Sequence, residues 1–321
     1  MKQTPLVSAI IPGYNCAQYI ERAINSVLDQ TYPNIECIVV NDGSADETGA
    51  VARRFGSRIT VIDQKNGGAS AARNTGITHA TGELIAFLDA DDYWLPEKIT
   101  KQVEVMHSHP DVVLVSTGFA SHNAASAVED ASPTSTIESS SPTLPPLEVH
   151  EDFLPLFRDP YLGTPTVMVR RSRIDEAGVF DTTLPIAEDV EFFFRMCIGH
   201  AYARINETLI KIHHRPDSLC RTEPGYQINL AVIDRLALLN PAFHDQHPEE
   251  FQRARITLYE RWAGECIYRG HGAAARCVLK ESRAHGKINK YAKLYLKSFM
   301  ASLLYRLRTG EPPVEKNKVM R

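Results

Sequence analysis

Leu84-Ile85-Ala86-Phe87-Leu88-Asp89-Ala90-Asp91-Asp92 is the stretch on which the fold turns. Five consecutive apolar residues read as a strand buried on both faces, the kind found in parallel sheets covered by helices. The strand ends in an acidic run. Upstream, Leu6 to Ile11 is a second apolar strand, stopped at Pro12-Gly13. Ala17 to Gln30 carries Ile20, Ala23, Ile24, Val27 and Leu28 at helical spacing. Ile35 to Val40 is another strand, closed by Asn41-Asp42-Gly43-Ser44, then come a helix to about Phe55 and a short strand at Ile59 to Ile62. Ala69 to Ala80 is helical, with Gly82 as the break before Leu84. Downstream, Pro96 to His107 reads as a helix and Val112 to Ser116 as a strand. This alternation predicts an α/β fold, a Rossmann-like and mostly parallel sheet flanked by helices.

The pattern then changes. Residues 121–146, rich in Ser, Thr, Ala and Pro, read as a flexible surface insertion. Beyond it, Thr166 to Arg170 is strand-like, Glu188 to Ile198 helical, and Tyr202 to Ile205 and Leu209 to His213 read as two strands. From Gly225 to about Arg308 the chain reads as helical. The expected organisation is a first domain over residues 1–220 and a helical region over 221–321.

Composition excludes several classes. The 321 residues are 43% hydrophobic and 23% charged with a net charge of -4, so no basic field draws in nucleic acid. The six cysteines make no C-x-x-C pair, which points to reduced thiols in a cytosolic protein. The N-terminus lacks the apolar core of a signal peptide, and no apolar run is long enough for a bilayer. The expectation is a cytoplasmic protein, soluble or peripheral at the inner face of the membrane.

In an open α/β sheet, ligands sit at the carboxyl ends of the strands. Three polar clusters fall there: Pro12-Gly13-Tyr14-Asn15, Asn41-Asp42-Gly43-Ser44 and Asp89-Ala90-Asp91-Asp92. Carboxylates crowded at one strand end raise one another's pKa, and a divalent cation would relieve the repulsion. Oxygen ligands suit Mg²⁺ or Mn²⁺, which bridge one or two carboxylates to substrate phosphates. The same four residues would equally cap the helix that follows. Asn66 to Gly76 adds the pair Gly67-Gly68, which lets a backbone approach a ligand closely, and Arg73, whose planar guanidinium suits phosphate. No G-x-G-x-x-G follows the first strand and no G-x-x-x-x-G-K-[ST] is present, which argues against nicotinamide binding and P-loop chemistry.

Together these segments resemble glycosyltransferase family 2, the inverting enzymes with an A-type (GT-A) fold. The likeness runs through Val7 to Asn15, Ser26 to Tyr32, Glu36 to Ser44, Asn66 to Gly76 and Gly82 to Trp94, and extends to Phe180-Asp181 and Glu188-Asp189. It implies roles. Asp42 would hydrogen-bond the nucleotide base. Pro12, Tyr14 and Asn15 would wall the base and ribose pocket. Asp89, beside Ala90, would face the ribose, and Asp91 would ligate Mn²⁺ or Mg²⁺ at the diphosphate. Arg73 would lie near the nucleotide. Asp189 would be the general base, with Glu188 as the alternative. The family's late His or Arg falls in His213-His214-Arg215, where either His214 or Arg215 would reach the metal or diphosphate. Two adjacent residues on a strand point opposite ways, so one at most serves.

An inverting transfer is a single displacement. The acceptor hydroxyl loses its proton to a carboxylate as it attacks, and a metal-bound nucleoside diphosphate leaves without an acid. The resemblance therefore implies transfer from a nucleoside-diphosphate sugar, UDP by family habit, to a saccharide or lipid-linked saccharide in surface polysaccharide synthesis. A sugar-nucleotide nucleotidyltransferase would need a basic glycine-rich loop near the N-terminus. A non-catalytic nucleotide-binding domain would have lost Asp91 or Asp189. Gly163-Thr164-Pro165-Thr166 lies on the acceptor side. Between Lys287 and Arg308, lysines and arginines alternate with Leu and Phe, which suits either an anionic membrane surface or packing on another protein surface.

Overall fold

A computed structural model of the chain describes residues 4–122, 145–158, 162–184, 186–213, 223–284 and 291–309. The chain divides into two compact units, residues 1–216 and 217–321.

The first unit is built on a nine-stranded sheet. Strands β1 (Val7–Gly13), β2 (Ile35–Asn41), β3 (Thr60–Asp63) and β4 (Leu84–Phe87) form its parallel half, in the order β3-β2-β1-β4. Helices α1 (Ile20–Leu28), α2 (Thr48–Arg53) and α3 (Gly68–His79) connect these strands. The continuous apolar runs have the expected cause: Val7, Ala9, Ile10, Ile11, Ile85, Ala86 and Phe87 are all fully buried. On α1, Ile20, Ala23, Ile24 and Val27 share the buried face at the spacing of one helical stripe. Gly76 lets α3 lie close on β1, because a Cβ there would stand 2.3 Å from Ile10 Cγ2.

Beyond β4 the sheet is mixed. β8 (Met168–Arg170) runs antiparallel to both β4 and β6 (Val112–His122), while β6 pairs in parallel with β9 (Ala201–His213). β5 (Tyr93–Trp94) and β7 (Leu147–His150) add antiparallel to β9. The remaining helices of this unit are α4 (Lys98–Ser108), α5 (Leu154–Arg158), α6 (Arg171–Ala177) and α7 (Glu188–Cys197). The two strands expected at 202–205 and 209–213 are one strand. The polar residues Asn206, Glu207 and Thr208 that break its pattern sit at a register shift opposite Gly118, so a bulge rather than a turn interrupts the apolar run. Most of the expected insertion, residues 123–144, lies outside the described residues.

The second unit contains α8 (Glu223–Leu239), α9 (Pro241–Gln246), α10 (Pro248–Tyr268), α11 (Gly272–Ser282) and α12 (Tyr291–Thr309). Its core gathers Trp262, Ala263, Cys266, Ala275, Val278 and Leu279. No described helix is long and apolar enough to cross a membrane.

Candidate functional site

Chain order reverses direction across the sheet between β1 and β4, and the carboxyl ends of these strands are where an α/β sheet opens a crevice. All three polar clusters lie at that edge.

Asp42, immediately after β2, is 3% exposed, and its carboxylate organises the next loop. Oδ1 accepts from Gln64 Nε2 at 2.7 Å and from the Gly67 amide at 2.9 Å, and Oδ2 accepts from the Gly68 amide at 2.9 Å. The glycine pair of Asn66-Gly67-Gly68 thus brings its backbone onto a carboxylate of the chain itself, and Gly68 does so at φ 85°, which a side chain would resist. A carboxylate has about four acceptor positions, so one remains for a further donor.

The loop after β1 is sewn to the loop after β2. The Asn15 amide donates to Ser44 Oγ at 3.1 Å, and Asn15 Oδ1 accepts from the Ala45 amide at 2.8 Å. The Cys16 amide donates to Thr48 Oγ1 at 2.8 Å and the Ala17 amide to Asp46 Oδ2 at 3.0 Å. Asn15 takes φ 48°, a left-handed turn that Asn tolerates. Pro12 is half-buried, and Tyr14 stands out of the loop at 53% exposure, an aromatic ring with no packing role in the core.

The acidic run divides by partner. Asp89 accepts from Arg73 Nη2 at 2.9 Å. Ala90 is buried, and Asp91 is half-buried with its carbonyl accepting from Arg22 Nη2 at 2.7 Å. Asp92 is 4% exposed and accepts from the His213 amide at 2.8 Å, tying β4 to the end of β9. Burial first, then the charge of Asp89, push the Asp92 carboxyl up to about 8. Trp94 carries the connection further. Its indole Nε1 donates to the Pro165 carbonyl at 3.0 Å, and Gln102 Nε2 donates to the Thr166 carbonyl at 3.0 Å. Lys98, fully buried against the Trp94 ring at 4.2 Å, donates to Gln102 Oε1 at 2.6 Å. The turn at 164–166 is therefore held by residues that follow the acidic run.

Glu188 and Asp189 open α7, where the helix dipole favours negative charge. Ala187, before them, is held at φ 61°. Such strain in a non-glycine residue persists where surrounding contacts impose it. Glu188 accepts from Arg73 Nη1 at 2.8 Å, so one buried guanidinium spans Glu188 and Asp89. Burial works against the Arg73 charge, but the two carboxylates outweigh it and raise its pKa. Asp189 accepts from its neighbour's amide at Val190, 2.8 Å, and from Thr164 Oγ1 at 3.4 Å. Burial, and then the charge of Glu188, push the Asp189 carboxyl up to about 6, with Arg73 opposing. Phe180 packs under this cluster, stacked on Phe192 at 3.9 Å between centroids. The Asn74 side chain clamps its backbone from both sides, at 2.9 Å to N and 2.8 Å to O.

Among the described residues, no group of three or more His, Cys, Asp and Glu side chains is arranged to hold a metal by itself. Mg²⁺ and Mn²⁺ need no such cage, because they bind through one or two carboxylates with phosphate and water completing the shell. The oxygen donors of Asp91 and Asp92 fit that chemistry. Among the described residues, the neighbouring His213 finds no hydrogen-bond partner for its buried Nδ1, the kind of orphan a bound group would satisfy. His214 and Arg215 lie outside the described residues.

The structure thus brings Arg73, Asp89, Glu188 and Asp189 together and keeps Asp91 and Asp92 beside them in sequence on the same edge. Pro12, Tyr14, Asn15 and Asp42 line the neighbouring strand ends. Arg22, Asp46, Gln64 and Asn74 escaped sequence reasoning. Each acts through a long-range hydrogen bond for which no local pattern exists.

Residues 8–140 match the family model described as Glycosyl transferase family 2. Over 196 residues the chain is 35% identical to an uncharacterized glycosyltransferase of Rickettsia felis, covering 60% of this chain and 31% of that protein. Over 106 residues it is 44% identical to TuaG of Bacillus subtilis, a glycosyltransferase named for teichuronic acid biosynthesis, covering 32% of this chain and 42% of TuaG. The chain thus aligns with less than half the length of these relatives. Among solved structures, the mannosyltransferase PcManGT from Pyrobaculum calidifontis, in complex with GDP-Man and Mn²⁺, superposes with a TM-score of 0.59 at 20% identity, covering 97% of this chain and 89% of that one. S. aureus TarS 1-349 in complex with UDP-GlcNAc superposes with a TM-score of 0.56 at 16% identity, covering 95% and 92%. At these identities the structural likeness shows the fold, which is GT-A.

Proposed function

We propose that the chain, whose residues 8–140 match the glycosyl transferase family 2 model, is an inverting transferase that moves a sugar from a nucleoside diphosphate, UDP first among candidates, to an acceptor hydroxyl. One observation supports this most: Glu188 is committed to Arg73, which leaves its neighbour Asp189 at the helix start as the carboxylate for proton transfer.

In this reading Asp189 takes the acceptor's hydroxyl proton while that oxygen bonds to the anomeric carbon. The bond from that carbon to the diphosphate breaks on the opposite face, and the nucleoside diphosphate leaves with the electron pair. Asp91, with Asp92 behind it, would hold Mn²⁺ or Mg²⁺, which neutralises charge on the departing diphosphate. Asp42 keeps one acceptor position for a base N–H, Tyr14 offers its exposed ring as a wall of the base pocket, and Asp89 faces the ribose. The turn at 164–166, whose Thr164 hydroxyl reaches Asp189, would border the acceptor. The neighbours solved with UDP-GlcNAc and GDP-Man support a nucleotide-sugar donor, and the name of TuaG supports an acceptor in polysaccharide synthesis. Titration calorimetry with UDP, with and without Mn²⁺, tests the donor half: binding should tighten at least about tenfold with the metal. A panel of nucleotide sugars assayed for hydrolysis then names the donor. Absence of metal-dependent nucleotide binding would sink the reading.

The acceptor side extends to a lipid-linked saccharide, with the protein at the inner face of the membrane. From Ser282 to Gly310 the chain has seven Lys and Arg and no Asp or Glu, within a chain of net charge -4. On α12, Ser298, Ala301 and Ser302 are buried, while Leu296, Phe299 and Met300 are exposed at 67%, 50% and 59% beside Lys293 and Lys297. The helix therefore turns Leu296, Phe299, Met300 and these two lysines outward, an arrangement suited to an anionic lipid surface. The chain should sediment with phosphatidylserine-containing vesicles and not with pure phosphatidylcholine, and the double variant Leu296→Asp, Phe299→Asp should stay in the supernatant. Equal recovery with both lipids would remove the membrane from the reading.

A further inference from the structure

We propose that Arg73 is a positioning residue, joining the donor side of the site through Asp89 to the base side through Glu188 and holding Asp189 in the ionised state that proton transfer needs. The proposal rests on the assignment of Asp189 as base.

The geometry is that of a strut. Arg73 projects from α3, Asp89 follows β4, and Glu188 begins α7, 115 residues further along the chain than Arg73. The terminal nitrogens of the guanidinium divide between the two carboxylates, Nη1 to Glu188 at 2.8 Å and Nη2 to Asp89 at 2.9 Å. The Arg73 side chain is 6% exposed, those of Glu188 and Asp89 16% and 32%. A planar fork of fixed spacing suits this bridging, and a lysine ammonium could not reproduce it. The Phe180 ring lies 5.4 Å from the guanidinium carbon, and the next residue, Asn74, fixes the Phe180 backbone with two hydrogen bonds. Consecutive residues of α3 therefore anchor the segment that leads into Glu188-Asp189.

The same arrangement sets charge. Asp189 faces Arg73 from α3, Asp89 from the end of β4, Glu188 on its own helix, the Thr164 hydroxyl and the Val190 amide. Of these, Arg73 alone is cationic. Asp89 and Glu188 push the Asp189 carboxyl up, and Arg73 holds it down. Because Arg73 is shared with Asp89, any ligand that hydrogen-bonds Asp89 alters how the guanidinium charge is divided between donor side and base side. A donor seated against Asp89 would thereby act on the base before the acceptor arrives.

The test uses the full chain and reads a shift that loss of packing alone would not produce. The kcat/KM profile for hydrolysis of the nucleotide sugar the wild type accepts is recorded against pH. In parallel, the Asp189 side-chain carboxyl is titrated by ¹³C NMR, which needs no turnover. Arg73→Met should raise the acidic limb and the NMR midpoint by at least about one unit, since an opposite charge at close range is worth one to three. Glu188→Gln should move both downward. Arg73→Lys should keep the midpoint within about half a unit of wild type yet lose about tenfold in kcat/KM, because charge survives and the fork does not. Midpoints unchanged in Arg73→Met, or shifted the same way in Arg73→Met and Glu188→Gln, overturn the proposal. Should Arg73→Met fail to fold, an unmoved midpoint in Glu188→Gln overturns it equally. The expected NMR shifts in a protein with no transfer or nucleotide binding would uphold the charge relation and reject the enzymatic assignment, so the two failures are told apart.

Discussion

Asp189→Asn lowers turnover about a thousand-fold and leaves UDP affinity within a few-fold of wild type. General bases contribute roughly 10² to 10⁴ to such rates, and an amide keeps the side chain's shape while removing its basicity. The wild-type rate should fall as pH drops through about 6, because the Asp189 carboxyl is pushed up to about 6 and only its ionised form accepts a proton. The variant should lose that limb. Stability should change in the opposite sense. A carboxyl whose folded pKa is raised from 3.8 to about 6 destabilises the fold when ionised, and this cost is fully present above about pH 6 and gone below about pH 4. Asp189→Asn should therefore raise Tm at pH 8 and leave it unchanged at pH 4. Single-turnover assays, calorimetry and thermal melts separate the three effects. Turnover that survives the substitution would move the base elsewhere.

Asp91→Asn removes the Mn²⁺-dependent part of UDP affinity, a loss of at least about tenfold at saturating metal. Affinity without metal should change little. The neighbouring carboxylates have partners of their own. Asp89 is engaged by Arg73 at 2.9 Å, and Asp92 is buried and accepts the His213 amide at 2.8 Å. Asp92→Ala, which removes that acceptor, should accordingly disturb the junction of β4 and β9, and lower Tm, more than Asp91→Asn does. Calorimetry on both variants with and without Mn²⁺ decides it, and an Asp91→Asn protein that still binds UDP more tightly with metal would rule out this assignment.

The parts legible in the sequence share one property: their causes are local. Val7 to Ile11, Ile35 to Val40 and Leu84 to Leu88 announce buried parallel strands because each is mainly apolar, interrupted only by Ser8 and Glu36, and α1 announces its buried face by the spacing of Ile20, Ala23, Ile24 and Val27. The two-residue β5 had no such signal, being too short for any periodicity to register. At Asn206 to Thr208 the local signal misled, since a bulge against Gly118 exposes the same polar residues that a turn would.

The sequence by itself determined which strand ends carry polar chemistry: Tyr14 and Asn15, Asp42, and Asp89 to Asp92 follow directly from where apolar runs stop. Only the tertiary structure decided what each of those groups does first. It turned Asp42 onto the amides of Gly67 and Gly68, split Arg73 between Asp89 and Glu188, and hung the Thr164 turn from Trp94 and Gln102. The reason is physical. Burial patterns repeat within a few residues, whereas a buried charge takes whichever opposite partner the fold delivers to it, here 115 residues away.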